Sequence, residues 1–476
     1  MGNTQRQKTN SQNQLEVKTE ALSQKSLSPP LGKIKGRFKQ EREFLIFSPS
    51  IARRLVKKGN RFYKIQLTTL LSYADKIEII NNIVPAFKDR KLICQALCLN
   101  SFFGKNEEMK KLALALNSQR NISNLSLHFD RSPALTKQGM KFFVSGLRRA
   151  LLSELNISFP LFTKVSIEVL LPLFSGFKHL TCLSSLTLNF CFVDTLKLPA
   201  IREFTSSLKR MKRLDRLKIT IKDSLIEEKA IKELLSSFGK LKHTSHLSFE
   251  YSRFSGFFNA SLFNDVPTML TSLRCLTSLE LVFDLRLSGD KKLILTRIFS
   301  GLKSLTSLKN LTLSLFPREQ RYVECGVEIL SEIKTLQKLD LYFSLKEFNK
   351  QYFDKLSSGF KDLEMLKYLT LSFCFDKVSD QGIEDFSLVF PNMKALNVLR
   401  LKFLGHKFDK KTIHILYENL QRVCSLKHFF LEIYTKEVLE EKEKKKFISK
   451  FGDVKVELIK DTTGDYLGKW GLHFYL

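Results

Sequence analysis

From residue 91 onward the apolar positions of this chain recur in one frame, L-x-x-L-x-L-x-F, and every copy changes period halfway through. The frame opens at Ile122, Leu152, Leu183, Leu214, Thr244, Leu276, Leu308, Leu336, Leu366, Leu396 and Leu426, with 28 to 32 residues between openings. A degenerate copy at Cys94, Leu97 and Leu99 precedes them, which makes about twelve units, and Ile65-Gln66-Leu67 is a weaker one still. Within each copy L-x-L-x-F alternates with period two, as a short half-buried strand must. The second half turns helical. Met140, Phe143, Leu147 and Ala150 stand at i, i+3, i+7 and i+10, and the same offsets return at Ile201, Leu295, Phe353 and Ile383. Five copies of one stripe predict an amphipathic helix after each strand. One strand and one helix in every thirty residues is the pattern of a solenoid.

Near the predicted helix ends, six units carry a small pair before Leu or Phe: Ser145-Gly146, Ser175-Gly176, Ser206-Ser207, Ser236-Ser237, Ser300-Gly301 and Ser358-Gly359. Small residues there let successive helices approach closely. A cation follows, at Arg148, Lys178, Lys209, Lys303 or Lys361, with Lys240 one residue late. Stacked in register these form a basic rim, thickened by Arg149, Arg210, Lys212, Arg213 and Lys242. Each cation also has a purely structural reading, because positive charge at a helix C-terminus complements the dipole by about 0.3–1 kcal/mol. The run from Lys209 to Arg213 exceeds what capping needs.

This strand frame, followed by a helix at a period near thirty, resembles the leucine-rich repeat proteins, specifically their ribonuclease-inhibitor-like class. The resemblance covers roughly residues 91–435. The family usually places Asn or Cys two positions past the last strand Leu, whereas Phe159, Phe190, Phe283 and Phe343 stand here, a departure similar to the divergent repeats of ciliated protists. An asparagine ladder is therefore not expected. The resemblance implies an α/β leucine-rich repeat solenoid, a horseshoe with parallel strands on the concave face and helices on the convex face. Twelve strands about 4.8 Å apart would line an inner arc of roughly 55 Å.

Outside the array, residues 1–40 are polar and basic with almost no apolar periodicity, which predicts a disordered tail. Residues 41–90, with Ile51, Leu55 and the Ile77–Ile83 run, are expected to be an N-terminal helical cap. Residues 436–476 are expected to close the other end, with a charged helix around Glu437 to Lys446, a strand at Val454 to Leu458, and an aromatic tail holding Trp470, Phe474 and Tyr475.

Charge sharpens this picture. Lys and Arg number 78 against 48 Asp and Glu, a formal +30, which favours anionic partners. Little of it belongs to the concave face, whose exposed strand positions include Asn156, Ser158, Thr187, Asn189, Lys218, Thr220, Arg400 and Lys402. Three bases there (Lys218, Arg400, Lys402) meet four acids (Glu250, Glu280, Asp340, Glu432), so that face is close to neutral.

Candidate chemistry is sparse. The sequence holds no phosphate loop, nucleophile elbow, kinase set or zincin motif. His243-x-x-His246 with Glu250 is the nearest thing to a metal cluster, and it reads as a rim pair on the approach to a strand. Eight cysteines without a C-x-x-C pair suggest a reducing compartment. No apolar run reaches spanning length and no secretory signal opens the chain, so an intracellular protein is expected, cytoplasmic before mitochondrial or nuclear. The expectation is a non-enzymatic scaffold without cofactors or metal, binding an acidic protein partner through rim and concave face. An RNA-binding subunit of a ribonucleoprotein or organellar ribosome, and a regulator such as a GTPase activator or ubiquitin-ligase adaptor, are the alternatives.

Overall fold

A computed structural model describes residues 42–435 and 455–459, apart from short connections of which 316–326 is the longest. The chain opens with β1 (Arg42–Ile46), α1 (Pro49–Lys58), β2 (Arg61–Leu67), α2 (Tyr73–Lys88), β3 (Ile93–Phe102), α3 (Asn106–Ser118), β4 (Asn124–Phe129) and α4 (Lys137–Leu147). It continues with β5 (Glu154–Phe159), α5 (Ile167–Gly176), β6 (Ser185–Cys191), α6 (Leu198–Leu208), β7 (Arg216–Lys222), α7 (Glu228–Phe238) and β8 (His246–Ser252). Then come β9 (Phe258–Asn259), α8 (Val266–Ser272), β10 (Ser278–Asp284), β11 (Leu287–Ser288), α9 (Lys291–Leu302), β12 (Asn310–Leu315) and β13 (Lys338–Phe348). The last elements are α10 (Lys350–Phe360), β14 (Tyr368–Val378), α11 (Asp380–Ser387), β15 (Val398–Phe408), α12 (Lys410–Gln421), β16 (His428–Thr435) and β17 (Lys455–Ile459). Between β12 and β13 a 3-10 turn at Val327–Glu332 replaces the α-helix.

Among the described residues fifteen strands form one open sheet in chain order, and only the two-residue strands β9 and β11 pair apart from it. Every pairing among the described strands is parallel, as in β5 to β8, where each strand returns to its neighbour through a helix. The register is the sequence frame itself. Leu125 pairs with Leu155, Leu155 with Leu186, Leu186 with Leu217, and so across to Leu369 with Leu399. Residues 41–90, expected as a helical cap, supply α1 and α2 and also two strands that extend the sheet, with Ile65 and Leu67 opposite Leu97 and Leu99. The strand expected at Val454 to Leu458 is β17, paired with β16. The basic tail, the helix around Glu437 to Lys446 and the aromatic tail lie outside the described residues.

The core is the layer between sheet and helices. The stripe Met140, Phe143, Leu147 is fully buried, and so is its counterpart Phe353, Leu356, Phe360. Thr244, the one polar residue to open a frame, is also buried, and its Oγ1 donates to the Leu214 carbonyl at 2.9 Å. At the end of the strand frame phenylalanines stack across units. Phe129 lies 5.0 Å from Phe159 and Phe159 lies 5.6 Å from Phe190, and a second column runs Phe343, Phe373, Phe403 at 5.9 and 5.4 Å.

The small pairs pack one helix against the last. The second member is buried in each (Gly146, Gly176, Ser207, Ser237, Gly301, Gly359). A Cβ on Gly146 would stand 2.7 Å from the Ala113 Cα of the preceding helix, closer than real atoms approach. Where serine takes the place, its hydroxyl bonds a carbonyl: Ser207 Oγ donates to Phe174 O at 2.7 Å. Strands sit about 4.8 Å apart while helix axes need about 8–10 Å. The helical side must therefore be the longer one, which bends the sheet face inward.

Candidate macromolecule-binding surfaces

Two solvent-facing surfaces carry the residues singled out above: the open face of the sheet and the rim of turns that lead from each helix into the next strand.

On the sheet face, residues at equivalent strand positions line up in rows. One row runs Ser126, Asn156, Thr187, Lys218, Ser248, Glu280, and beyond it Asp340, Thr370, Arg400 and Phe430. The next row runs His128, Ser158, Asn189, Thr220, Glu250. Asn156, Thr187, Asn189, Lys218 and Lys402 are half-buried and Arg400 is exposed. Ser158 and Thr220, expected to be exposed, are 6% and 5% accessible, because their short side chains stand in a row of taller neighbours. They shape that row without offering much contact surface.

The acids on this face are tied down. Glu250 pairs with Lys222 at 2.8 Å, Asp340 with Lys338 at 2.9 Å and Glu432 with Lys402 at 3.1 Å, while Glu280 accepts from Ser248 at 2.6 Å with Lys218 at 3.8 Å. Lys402 also stands over the Phe430 ring, 5.4 Å from its centre. Internal pairing thus neutralises most charge on the sheet face. Glu250 faces Lys222, while His243 and His246 lie exposed on the rim. Among the described residues no group of three or more His, Cys, Asp or Glu is placed to hold a metal ion.

The rim is built differently. Each turn hydrogen-bonds the one before it through the backbone: Ser184 N–H donates to Ser153 O, Asp215 to Ser184 and Ser245 to Asp215, at 2.8, 2.8 and 2.9 Å. The side chains on this ladder are therefore held at a fixed spacing. Arg148, Arg149, Lys209, Arg210, Lys212, Arg213, Lys240 and Lys242 are exposed and Lys178 is half-buried. None of these nine takes part in an ion pair among the described residues. Farther along, Lys303 pairs with Glu332 at 2.8 Å and Lys361 is exposed.

Arg148 and Lys209 are C-cap residues of α4 and α6. The helix dipole accounts for them, but it fades within the last turn and does not reach Lys212, Arg213 or Lys242. Repulsion within the ridge leaves a trace at His179. Its pKa is lowered by burial first and then by the charges of Arg148, Lys178 and Arg210, which belong to three successive units. The sequence reading passed over this histidine, although its place beside Lys178 in the repeated turn is visible there. A second histidine, His128, has its pKa lowered by burial alone.

Elsewhere the described residues hold little chemistry. Burial, with Cys98 beside it, pushes the Cys94 thiol up to about 12, so it is core and not nucleophile. A small cavity lined by Ile65, Ile79, Leu97 and Leu112 is apolar and about 20 Å³. No helix among the described residues is long and apolar enough to cross a membrane. No family profile matches the chain, and no curated protein is significantly similar to it.

Proposed function

We propose that this solenoid is a leucine-rich repeat scaffold of the ribonuclease-inhibitor-like kind, without enzymatic activity, that holds another macromolecule. The observation that carries the reading is the shared register of the L-x-x-L-x-L frame over eleven successive units, which turns the sheet's solvent side into continuous rows of mostly polar and charged side chains. Such rows make a broad template for hydrogen bonding and offer no enclosed, convergent cluster for catalysis. On this reading the partner of the sheet face is a protein. The basic rim adds electrostatic attraction toward an acidic partner, raising the association rate more than the affinity.

Site-specific photocrosslinking in the protein's own cells tests the reading. A crosslinker at Thr187 or Arg400, on the sheet face, is expected to give discrete protein adducts, and one at Lys141, on the outer side of α4, to give none. Adducts from Lys141 alone would move the partner to the helical side and sink the assignment.

A further inference from the structure

The rim is not uniform, and its unevenness points to a ligand. In the four turns 148–154, 178–184, 209–216 and 240–246 the sequence places ten Lys and Arg against two acids, Glu154 and Asp215. Both acids are engaged within the fold. Glu154 accepts from Asn124 at 3.0 Å, and Asp215 accepts from Ser245 at 2.5 Å with Arg216 at 3.7 Å. Past residue 246 the same turns carry one or two Lys and Arg each, so the excess is concentrated in the turn 209–216, where Lys209, Arg210, Lys212, Arg213 and Arg216 stand together.

An array that pairs its lysines on the sheet face and leaves nine cations of these four turns unpaired sets like charges side by side, most densely from Lys209 to Arg213. That arrangement opposes folding unless something outside the chain neutralises it. The stretch also lacks the anchors of a protein interface, whose affinity concentrates in buried aromatic and apolar groups. Leu151 is its one exposed large apolar side chain, and the other exposed positions are cations, imidazoles, Thr181 and the hydrogen-bonded Glu154. Four units spaced between the strand and helix distances cover roughly 15–30 Å. That matches up to one turn of a nucleic-acid duplex, about 34 Å.

We infer that the ridge from Arg148 to Lys242 is a binding site for the phosphodiester backbone of a nucleic acid, read by charge and spacing and not by base sequence. The inference rests on the rim being a binding surface and replaces a diffuse attraction with a defined ligand. With no exposed aromatic in these turns, base stacking contributes nothing and the contacts are ionic.

The test uses the full chain and labelled RNA and DNA duplexes of about 20 base pairs, roughly two helical turns. Binding by either is expected, with an affinity that falls steeply as salt rises, and the tighter of the two names the source. Lys209→Gln, Arg210→Gln, Lys212→Gln and Arg213→Gln together should weaken binding about 10- to 100-fold near 0.1 M salt and flatten the log–log salt slope by about 3 to 4. A control of equal charge change in later turns (Lys334→Gln, Lys367→Gln, Lys394→Gln, Lys427→Gln) should leave both nearly as they were. A second variant, Arg148→Gln with Lys178→Gln, keeps the site testable if the first does not fold. Equal losses in ridge and control variants would overturn the site in favour of diffuse net charge. Displacement of the duplex by poly-glutamate at equal charge concentration would overturn it in favour of an acidic protein. Failure of both duplexes to bind would overturn it outright. None of these results touches the sheet face, so the scaffold reading stands or falls on its own crosslinks.

Discussion

Gly146 shows how a single residue sets the distance between units. Its missing side chain leaves room for Ala113 on the preceding helix, and the atom it would collide with is backbone, which cannot swing aside. Gly146→Val is expected to destabilise the array by about 1–3 kcal/mol through overpacking, whereas Ser145→Val, one residue earlier and exposed, should change it by less than about 0.5 kcal/mol. Urea unfolding of the two variants separates them, and similar losses would show that helix spacing is not what Gly146 sets.

His179 reports on charge at the same scale. Its folded pKa lies below the ordinary 6.5, so the folded chain binds fewer protons there than the unfolded one. Stability at this site is intact above about pH 6.5 and falls as pH drops through the folded value. Titration of the imidazole by NMR should give a pKa below 6.5, and Arg210→Gln should raise it by removing one of three neighbouring cations. An unmoved pKa in that variant would mean that the ridge charges do not reach the ring.

At the scale of elements, strands are joined through their side chains as well as their backbones. Phe159 in β5 stacks between Phe129 in β4 and Phe190 in β6. Each such column fastens three units across the layer. Phe159→Ala should cost about 3–5 kcal/mol by transfer and cavity terms combined. Phe159→Asn should cost at least as much, because an amide placed in this stack has no ladder partner. Rescue of stability by the asparagine would show that an amide ladder is latent here.

For the whole molecule, each unit touches mainly its two neighbours, so stability is a chain of local couplings. Leu279→Asp places a charge in the core of β10, mid-array. Hydrogen exchange should then lose protection in β8, β10 and β12 first, with β4 to β6 and β14 to β16 still protected. Simultaneous loss along the sheet would show the array to be one cooperative unit instead.

The order of strands, their parallel pairing, the register and the buried stripes were all legible in the sequence, because each rests on a periodic pattern that one unit repeats to the next. Leu155 beside Leu186 is an alignment read as a contact. What the sequence alone left open depends on distances between chain segments with no fixed spacing. That Ile65 and Leu67 continue the sheet required β2 to lie against β3. That Ser158 and Thr220 are covered required the height of side chains on adjacent strands. The ridge lies between these cases: its cations are plain in the sequence, yet only the folded chain shows that the sheet-face lysines are matched by acids and those of the four turns are not. Local periodicity determines the architecture, since hydrophobic burial acts on position along the chain. Which charges remain unpaired depends on distances across the folded chain, and only the tertiary structure decides that.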